Sequence, residues 1–343
     1  MNDTIFKKGL ILECMPGCKY VSIGGMISNN ISGKLLFKNK LKNYIHSLKL
    51  INNKNKIIEC SPYKNKKLFD LTIGGMGRTG PIISAKLKLK KLNSSLINQK
   101  IYRFQSYKNF LKLISKINKF KYGVCWIDFT KKNFDGIIFL GSHLNIKGEK
   151  NYSYSDLKMP NIIVLILSIF LKIKLTTKIF NYIFKLKNII IPNKVLNLNS
   201  YFFPQNKILN WNDFFKSEGF IQFQIYFKTK DLNKIIETIK EEMSKYNIFS
   251  NFAVIKFFSD KKNKYDKLSL SLDFPINNNL NKIKKFINNV TLKNNLEVEL
   301  SKDIVLDNIN SKTMINNEIL NINNKRYINK NFKSNIFKRL DHA

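Results

Sequence analysis

The sequence has 343 residues, of which 44% are hydrophobic and 13% aromatic, so it is long enough for two folded domains and too apolar for a disordered chain. Its formal net charge is +37, from 60 Lys and Arg against 23 Asp and Glu, and two explanations stay open: compositional drift in an AT-rich genome and a selected basic surface. The positive charge is nearly all lysine and is spread along the chain, so we expect no specific nucleic-acid binding.

The cysteines and the longest apolar run both favour a cytoplasmic protein. Residues 1–10 are polar and lack the pattern of a signal peptide. The four cysteines (Cys14, Cys18, Cys60 and Cys125) contain no CxxC pair, so we expect reduced thiols and no metal site. Residues 162–171 are too short an apolar run to span a bilayer, which leaves a buried helix or a lipid-touching surface at the inner membrane.

The first ninety residues predict short strands separated by glycine turns. Residues 19–23 predict a strand entering the Gly24-Gly25 turn, and residues 45–50 and 56–60 flank a polar stretch typical of a hairpin. Residues 68–73 lead into a second glycine turn. Residues 82–92 alternate apolar and lysine positions, which predicts a half-buried strand with a solvated lysine face.

The rest of the chain predicts helices laid over an antiparallel sheet, which is an α+β fold. Helical spacing covers 107–117 and 232–246 and begins again at 283, and strand patterns cover 123–129, 220–227, 252–258 and 268–274. From residue 308 onward Asn and Lys dominate, and both a disordered tail and continued order stay open.

Two glycine-rich blocks carry the first chemical signal. Residues 16–34 have the sequence PGCKYVSIGGMISNNISGK, and residues 72–80 have the sequence TIGGMGRTG. Glycines at such turns let backbone N–H groups approach a phosphate closely. Neither block matches a Walker loop or a dinucleotide fingerprint, so each alone is equally explained as a tight turn without a ligand.

Further motifs follow these blocks in a fixed order. They are CWID at 125–128, YFFP at 201–204, NWN at 210–212, GFIQFQ at 219–224, AVIKFF at 253–258, LSLSLDFP at 268–275 and SKD at 301–303. The whole series resembles the vanillyl-alcohol-oxidase (PCMH-type) group of FAD-binding oxidoreductases, and is most similar to the decaprenylphosphoryl-ribose 2-oxidase family. The resemblance covers essentially the whole chain.

The resemblance implies a two-domain flavoprotein fold whose FAD-binding domain is incomplete. Residues 1–95 would be the second half of the FAD-binding domain. Residues 96–296 would form an α+β substrate-binding domain on an antiparallel sheet, and residues 297–343 would return to the FAD domain.

The resemblance also implies roles for individual residues, with FAD as cofactor. Lys302 would be catalytic, because a lysine beside a reduced flavin stabilises its negative charge. Lysines and side-chain amides suit a phosphorylated sugar, although each lysine is also explained as solvated surface. The substrate-binding residues would be Lys34, Gln222, Gln224 and Lys256. The FAD-binding residues would be Gly17, Ser22, Ile23, Gly24, Gly25, Asn29, Asn30, Ile31 and Ser32, with Ile82 against the flavin.

The implied reaction is oxidation of a secondary alcohol of a phosphosugar or polyprenyl-phosphosugar, with hydride passing to flavin N5. It further implies a reductase partner that completes a 2-epimerisation, in the synthesis of cell-envelope polysaccharide.

Several positions depart from the family pattern. Ser32 replaces a histidine, so no histidyl-flavin link can form there, and Phe202, Ser271 and Glu299 replace a tyrosine, a cysteine and a tyrosine. The family's first glycine-rich loop has no counterpart in residues 1–13. A separately encoded N-terminal FAD-binding segment, a decaying gene copy and a mis-called start codon are the explanations left open.

Three hypotheses about function therefore stand. The chain is an FAD-dependent oxidoreductase, or a non-catalytic or split-subunit remnant that cannot bind FAD alone, or a basic protein that binds anionic polymers.

Overall fold

The computed structural model describes residues 2–92, 94–144, 160, 171–204, 219–259, 265–276, 279–302 and 327–329. The chain divides into two compact units. Unit 1 comprises the described parts of Met1–Gly33, Asn39–Leu92 and Leu306–Ala343, and unit 2 those of Lys34–Lys38 and Asn93–Val305. The apolar run 162–170, the NWN motif and Asp303 lie outside the described residues.

Unit 1 is built on two small antiparallel sheets with strand orders β3-β2-β4 and β1-β5. Its helices are α1 (Asn2–Lys7), α2 (Ile23–Ser28) and α3 (Lys66–Thr72). Its strands are β1 (Leu10–Ile11), β2 (Ile45–Ile51), β3 (Ile57–Cys60), β4 (Ile82–Leu87) and β5 (Lys90–Lys91).

The predicted hairpin is confirmed, since β2 and β3 pair antiparallel. The strand predicted at 19–23 is wrong: these residues form a turn, and Ser22 caps helix α2, its hydroxyl accepting a hydrogen bond from the Gly25 N–H at 3.0 Å. Residues 68–72 are helical rather than extended. At α2, the cap formed by Ser22 favoured a helix more strongly than its β-branched neighbours Val21 and Ile23 favoured a strand.

Unit 2 contains an antiparallel sheet of eight strands, in the order β13-β10-β12-β11-β7-β8-β6-β9. Its strands are β6 (Leu96–Phe104), β7 (Tyr122–Ile127), β8 (Gly136–His143), β9 (Asn193–Asn197), β10 (Phe220–Lys228), β11 (Phe252–Phe258), β12 (Lys267–Pro275) and β13 (Glu297–Val298). Its helices are α4 (Tyr107–Ile114), α5 (Lys174–Ile190), α6 (Leu198–Phe202), α7 (Leu232–Lys245) and α8 (Leu280–Asn294). Mixed helix and antiparallel sheet agree with the predicted α+β class.

The core of unit 2 lies between one face of this sheet and helices α7 and α8. Alternation along β10 and β12 places Phe223 and Phe274 on that face, and both rings contact Phe286 of α8, with centroids 6.4 Å and 5.2 Å away. The predicted apolar side of α7 is buried at Ile235, Ile236, Ile239 and Met243.

The divisions between the two units fall at other residues than the predicted domain boundaries. β13 pairs with β10, so the chain stays in unit 2 beyond residue 297. Residues 34–38 also lie in unit 2, because the Gly123 N–H donates to the Lys34 carbonyl and the Leu36 N–H donates to the Lys121 carbonyl.

Three absences hold within the described part of the chain. No helix there has the length and apolar content needed to cross a membrane. No group of three His, Cys, Asp or Glu side chains there is placed to hold a metal ion. None of the cysteines, all of which are described, forms a disulfide.

We predict that Phe286→Ala lowers the free energy of unfolding by about 3–5 kcal/mol, because it removes a fully buried ring between two strands. Leu292→Ala on the same helix is the matched control: Leu292 is 50% exposed, and its removal should change stability by less than about 0.5 kcal/mol. Urea unfolding followed by the fluorescence of the buried Trp126 measures both. Equal losses in the two variants would contradict this core assignment.

Candidate functional site

The two glycine blocks, far apart in sequence, come together in unit 1. The Gly74 N–H donates to the Ile27 carbonyl and the Met76 N–H donates to the Ser28 carbonyl, each at 3.0 Å. Gly74 has φ +79°, and a Cβ placed on it would lie 3.3 Å from the Asn30 Cβ. The second block therefore buttresses the end of α2, the helix that the first block forms.

The start of α2 offers backbone donors that a phosphate group could use. Helix geometry leaves the N–H groups of Ile23 and Gly24 without a partner in the helix, and they have none elsewhere among the described residues. A Cβ added at Gly17 or Gly24 would meet nothing within 4 Å, so the approach to this turn is open. Both features fit the phosphate-bearing part of a dinucleotide such as FAD.

The residues that follow α2 hold the loop in shape. The Asn29 amide donates to the Gly25 carbonyl at 2.9 Å, and the Asn30 side-chain oxygen accepts from the Lys42 N–H at 3.0 Å. The Ile31 N–H donates to the Met26 carbonyl at 3.1 Å, and Ser32 forms a β-bridge with Lys40. Contact of these four residues with FAD stays a prediction that rests on the family resemblance.

Ile82 begins β4, is half-buried and pairs with Leu50.

A residue that the sequence did not single out, Asn329, ties the C-terminal segment to the rest of unit 1. Its N–H donates to the Arg78 carbonyl and its amide to the Asn52 carbonyl, each at 2.8 Å, and the side chain is 1% exposed. It thereby links the second glycine block to the turn between β2 and β3.

In unit 2 three of the four predicted substrate residues share one face of the sheet, opposite the aromatic core. Gln222 pairs with Asp273, Gln224 pairs with Ser271, and Lys256 pairs with Ser269. Directly paired residues of neighbouring strands project to the same side. We call the set Gln222, Gln224, Tyr226, Lys256, Ser269, Ser271 and Asp273 the polar face.

Hydrogen bonds within the polar face fix both glutamines. The Gln222 amide donates to the Asp273 carboxylate at 2.7 Å, and the Gln224 amide donates to the Tyr226 hydroxyl at 3.4 Å. The Tyr226 hydroxyl in turn donates to the Glu299 carboxylate. Burial, and then the charge of Glu299, raises the pKa of Tyr226, so the phenol stays protonated as a donor.

Two buried hydroxyls on this side of unit 2 have no hydrogen-bond partner among the described residues. They are the Oγ of Ser271, in the centre of the polar face, and the Oη of Tyr201. An unsatisfied buried hydroxyl costs about 1–3 kcal/mol, so such groups are positions where a ligand hydroxyl or a water is accommodated favourably.

Lys34 lies against Tyr201. Its amine donates to the Tyr201 carbonyl and lies 4.9 Å from the centre of the Tyr201 ring. Burial, and then the charge of Lys256, lowers the pKa of Lys34 to about 7. At neutral pH this amine can therefore either carry a positive charge or accept a proton, which a surface lysine cannot do.

Lys302 is connected to Gln224 of the polar face by two successive backbone hydrogen bonds. The Glu299 N–H donates to the Gln224 carbonyl at 2.8 Å, and the Lys302 N–H donates to the Glu299 carbonyl at 3.2 Å. Lys302 is half-buried in this turn. Unit 2 thus brings Gln222, Gln224 and Lys256 onto one face and places Lys34 within electrostatic range of Lys256. It links Lys302, through Glu299, to strand β10.

The sequence analysis missed Tyr201, Tyr226 and Asp273 as neighbours of the predicted residues. Tyr226 and Asp273 were detectable in principle, since Tyr226 continues the i, i+2 spacing of the glutamines and Asp273 ends the alternating run of β12. Nothing in the local sequence links Tyr201 to Lys34.

We predict that Lys34 titrates near pH 7 in the folded protein. Reductive ¹³C-methylation of the lysines and NMR should show one ε-methyl resonance with a midpoint near 7, and Lys34→Arg should remove it. Lys256→Met should raise that midpoint by removing a like charge, whereas Lys267→Met, on the next strand, should leave it unchanged. A Lys34 midpoint near the ordinary 10.5 would contradict the burial of this amine.

The lowered pKa of Lys34 also makes the stability of the native protein depend on pH. The folded pKa of Lys34 lies below 10.5, so the unfolded state binds more protons between pH 7 and 10.5. Raising the pH from 7 to 9 should therefore stabilise the native protein more than it stabilises Lys34→Met. Urea unfolding at the two pH values measures the difference.

Comparison with known proteins gives partial similarities. Decaprenylphosphoryl-beta-D-ribose oxidase of Mycolicibacterium smegmatis is 24% identical over 264 residues, which cover 73% of this chain and 57% of that protein. Cytokinin dehydrogenase 3 of rice (Oryza sativa subsp. japonica) is 31% identical over 86 residues, 25% of this chain and 16% of that protein. D-arabinono-1,4-lactone oxidase of Yarrowia lipolytica is 26% identical over 88 residues, 26% of this chain and 17% of that protein.

No protein-family model matches the sequence. The matched stretches span little more than half of the first of these relatives and about a sixth of the other two. All three names are those of oxidases or dehydrogenases, so the similarity of this chain is to oxidoreductases.

Proposed function

We propose that this chain is an FAD-dependent oxidoreductase that oxidises a secondary alcohol of a sugar or polyprenyl-phosphosugar. The observation that carries the proposal is the polar face of unit 2, where Gln222, Gln224 and Lys256 lie together with Lys34 in range. These are the residues that the family resemblance marks for substrate. The chain is similar over 264 residues to an oxidase whose name specifies a decaprenylphosphoryl ribose.

The cofactor would be held in unit 1. The backbone N–H groups of Ile23 and Gly24, with the open turn at Gly17, would bind a phosphate of FAD, and the loop Asn29–Ser32 would continue the contact. Bound FAD supplies the hydride acceptor for the alcohol. The proposal needs no metal.

The side chains of unit 2 would bind and orient the substrate. Lys256 and the charged form of Lys34 suit a substrate phosphate, and the amides of Gln222 and Gln224 suit sugar hydroxyls. Lys34 in its neutral form can accept the hydroxyl proton as the alcohol becomes a ketone, because its pKa is close to physiological pH. Lys302 would place positive charge near the reaction.

Replacement of a family tyrosine by Glu299 is consistent with this arrangement. The Glu299 carboxylate accepts a hydrogen bond from the Tyr226 hydroxyl, and that hydroxyl accepts one from the Gln224 amide. This series of hydrogen bonds orients one of the substrate-facing amides. A separate reductase acting on the ketone product would complete an epimerisation.

We predict that the purified chain, mixed with FAD and desalted, keeps the two visible absorbance bands of a bound oxidised flavin. Gly24→Val should weaken retention, since a branched side chain would fill the open approach to the phosphate donors. Gly219→Val, in unit 2 and away from the glycine blocks, is the control for general destabilisation. A chain that stays colourless would favour the remnant or split-subunit hypothesis, in which a separately encoded segment completes the FAD site.

We predict that Lys302→Ala abolishes substrate-driven bleaching of the flavin, by at least about 100-fold in rate, while flavin binding and unfolding midpoint stay at parental values. Lys285→Ala, an exposed lysine on α8, is the matched control and should bleach normally. Candidate phosphosugars are screened for bleaching of the parent protein first. An unchanged rate in Lys302→Ala would remove Lys302 from the mechanism.

A further inference from the structure

Helix α5 (Lys174–Ile190) packs on the sheet of unit 2 with its polar side inward. Thr177, Asn181, Lys185 and Asn188 are all buried, with exposed fractions of 5% or less. The Asn181 amide donates to the Asp128 carboxylate at 2.9 Å, and the Lys185 amine donates to the Asp135 carboxylate. Burial alone would raise the pKa of Asp135, but hydrogen bonds from Lys185 and Lys131 hold it below its ordinary value.

These buried contacts fix the rotation of the helix. Breaking a buried ion pair is strongly unfavourable, so α5 cannot turn its polar side to water without losing the Lys185–Asp135 contact. The rings of Phe184 and Trp126, with centroids 5.0 Å apart, add a further contact on the inner side. The outward side of α5 is thereby determined as well.

The outward side of α5 is apolar. Leu175, Ile179, Tyr182, Ile183, Leu186 and Ile190 are 38–74% exposed, and we call these six residues the α5 apolar face. Their spacing of three and four residues forms one stripe along the helix. A contiguous apolar surface of this kind is typical of a docking site, whereas single exposed apolar residues are ordinary.

The charged side chains of α5 are all lysines. At 3.6 residues per turn, exposed Lys178 and Lys187 lie on opposite flanks of the stripe, and exposed Lys174 lies beside its first turn. Between Asp156 and Asp213 the sequence contains no aspartate or glutamate. An apolar stripe with lysines along both edges matches the hydrocarbon boundary and the anionic headgroups of a lipid bilayer.

We propose that the α5 apolar face docks this protein on an anionic membrane surface, with α5 lying in the plane of the lipid interface. A second copy of the chain fits this surface poorly, because it would bring lysine-edged faces together without an acidic residue on either helix. A lipid surface supplies both the apolar contact and the negative charge. The orientation of α5 and the lysines on its flanks favour this docking, and neither depends on a bound flavin.

The test is flotation of the full-length chain with vesicles of phosphatidylcholine containing 30% phosphatidylglycerol, in about 0.15 M salt, where long-range charge effects are screened. The wild type should float with these vesicles and much less with pure phosphatidylcholine. The triple variant Ile179→Gln/Ile183→Gln/Leu186→Gln should bind at least about tenfold less. The matched triple Ile57→Gln/Ile83→Gln/Leu292→Gln, which changes exposed apolar residues elsewhere, should bind as the wild type does.

A second pair of variants separates local from overall charge. Lys178→Gln/Lys187→Gln should lose affinity by about fivefold per lysine, whereas Lys282→Gln/Lys285→Gln on α8 removes the same net charge and should have little effect. Equal losses in the two double variants would mean that the net charge of +37 alone attracts the protein, and would overturn the proposal.

A direct contact probe does not depend on the stability of the variants. In a Cys18→Ser background, which removes the exposed cysteine, an environment-sensitive fluorophore on Ile183→Cys should shift to the blue with anionic vesicles, and the same label on Leu292→Cys should not. No shift at position 183 would overturn the proposal. So would light scattering that shows a wild-type dimer which the α5 triple variant dissociates, since a second copy would then cover the face.

Discussion

The antiparallel register of β10, β12 and β11 is the constraint on which the rest of unit 2 depends. Strand alternation sends Phe223, Leu272 and Ile255 to the helix-covered side, and their sequence neighbours to the other side. A slip of one residue would move glutamines and a lysine into the aromatic core. Burial of the phenylalanines therefore determines where the polar residues converge, and the polar face is a consequence of the hydrophobic core.

Unit 2 keeps several polar groups away from water, and its acidic side chains Asp135 and Glu299 have hydrogen-bond donors that make this tolerable. Asp135 is held by Lys185 and Lys131, and Glu299 is held by Tyr226. Lys34 differs, because its near neighbours are a carbonyl, a ring and the like charge of Lys256, so its affinity for a proton falls instead. The hydroxyls of Ser271 and Tyr201, which have no hydrogen-bond partner in the described part of unit 2, add to this uneven polar environment. Perturbed groups of this kind concentrate at functional sites.

In unit 1 the two glycine blocks are joined by backbone hydrogen bonds. The second glycine block donates two N–H groups to the end of α2, and Asn30 adopts a positive φ of 42° to turn the chain there. Gly33 is needed for packing, since a Cβ at that position would lie 2.9 Å from the Met15 carbonyl oxygen. Small residues are thus required at these turns for packing, and an open approach at Gly17 and Gly24 remains for a ligand.

The sequence by itself determined the elements whose periodicity is strong. The β2–β3 hairpin, α7, β11 and β12 lie within a residue or two of their predicted positions, because burial of one face imposes a period of 2 or 3.6. It also determined that Gln222 and Gln224 lie on one face. Local reasoning failed at residues 19–23, where the cap at Ser22 starts a helix.

Tertiary structure alone decided which distant residues meet. The proximity of Lys34 to Tyr201 and Lys256 spans more than 160 residues of chain and leaves no local pattern, and the same is true of the contact between the two glycine blocks. The sequence likewise did not indicate that the polar side of α5 faces inward, because an amphipathic sequence specifies two faces but not which one is buried. Asp128 and Asp135, which follow β7 and precede β8, settle that choice because they accept hydrogen bonds from Asn181 and Lys185.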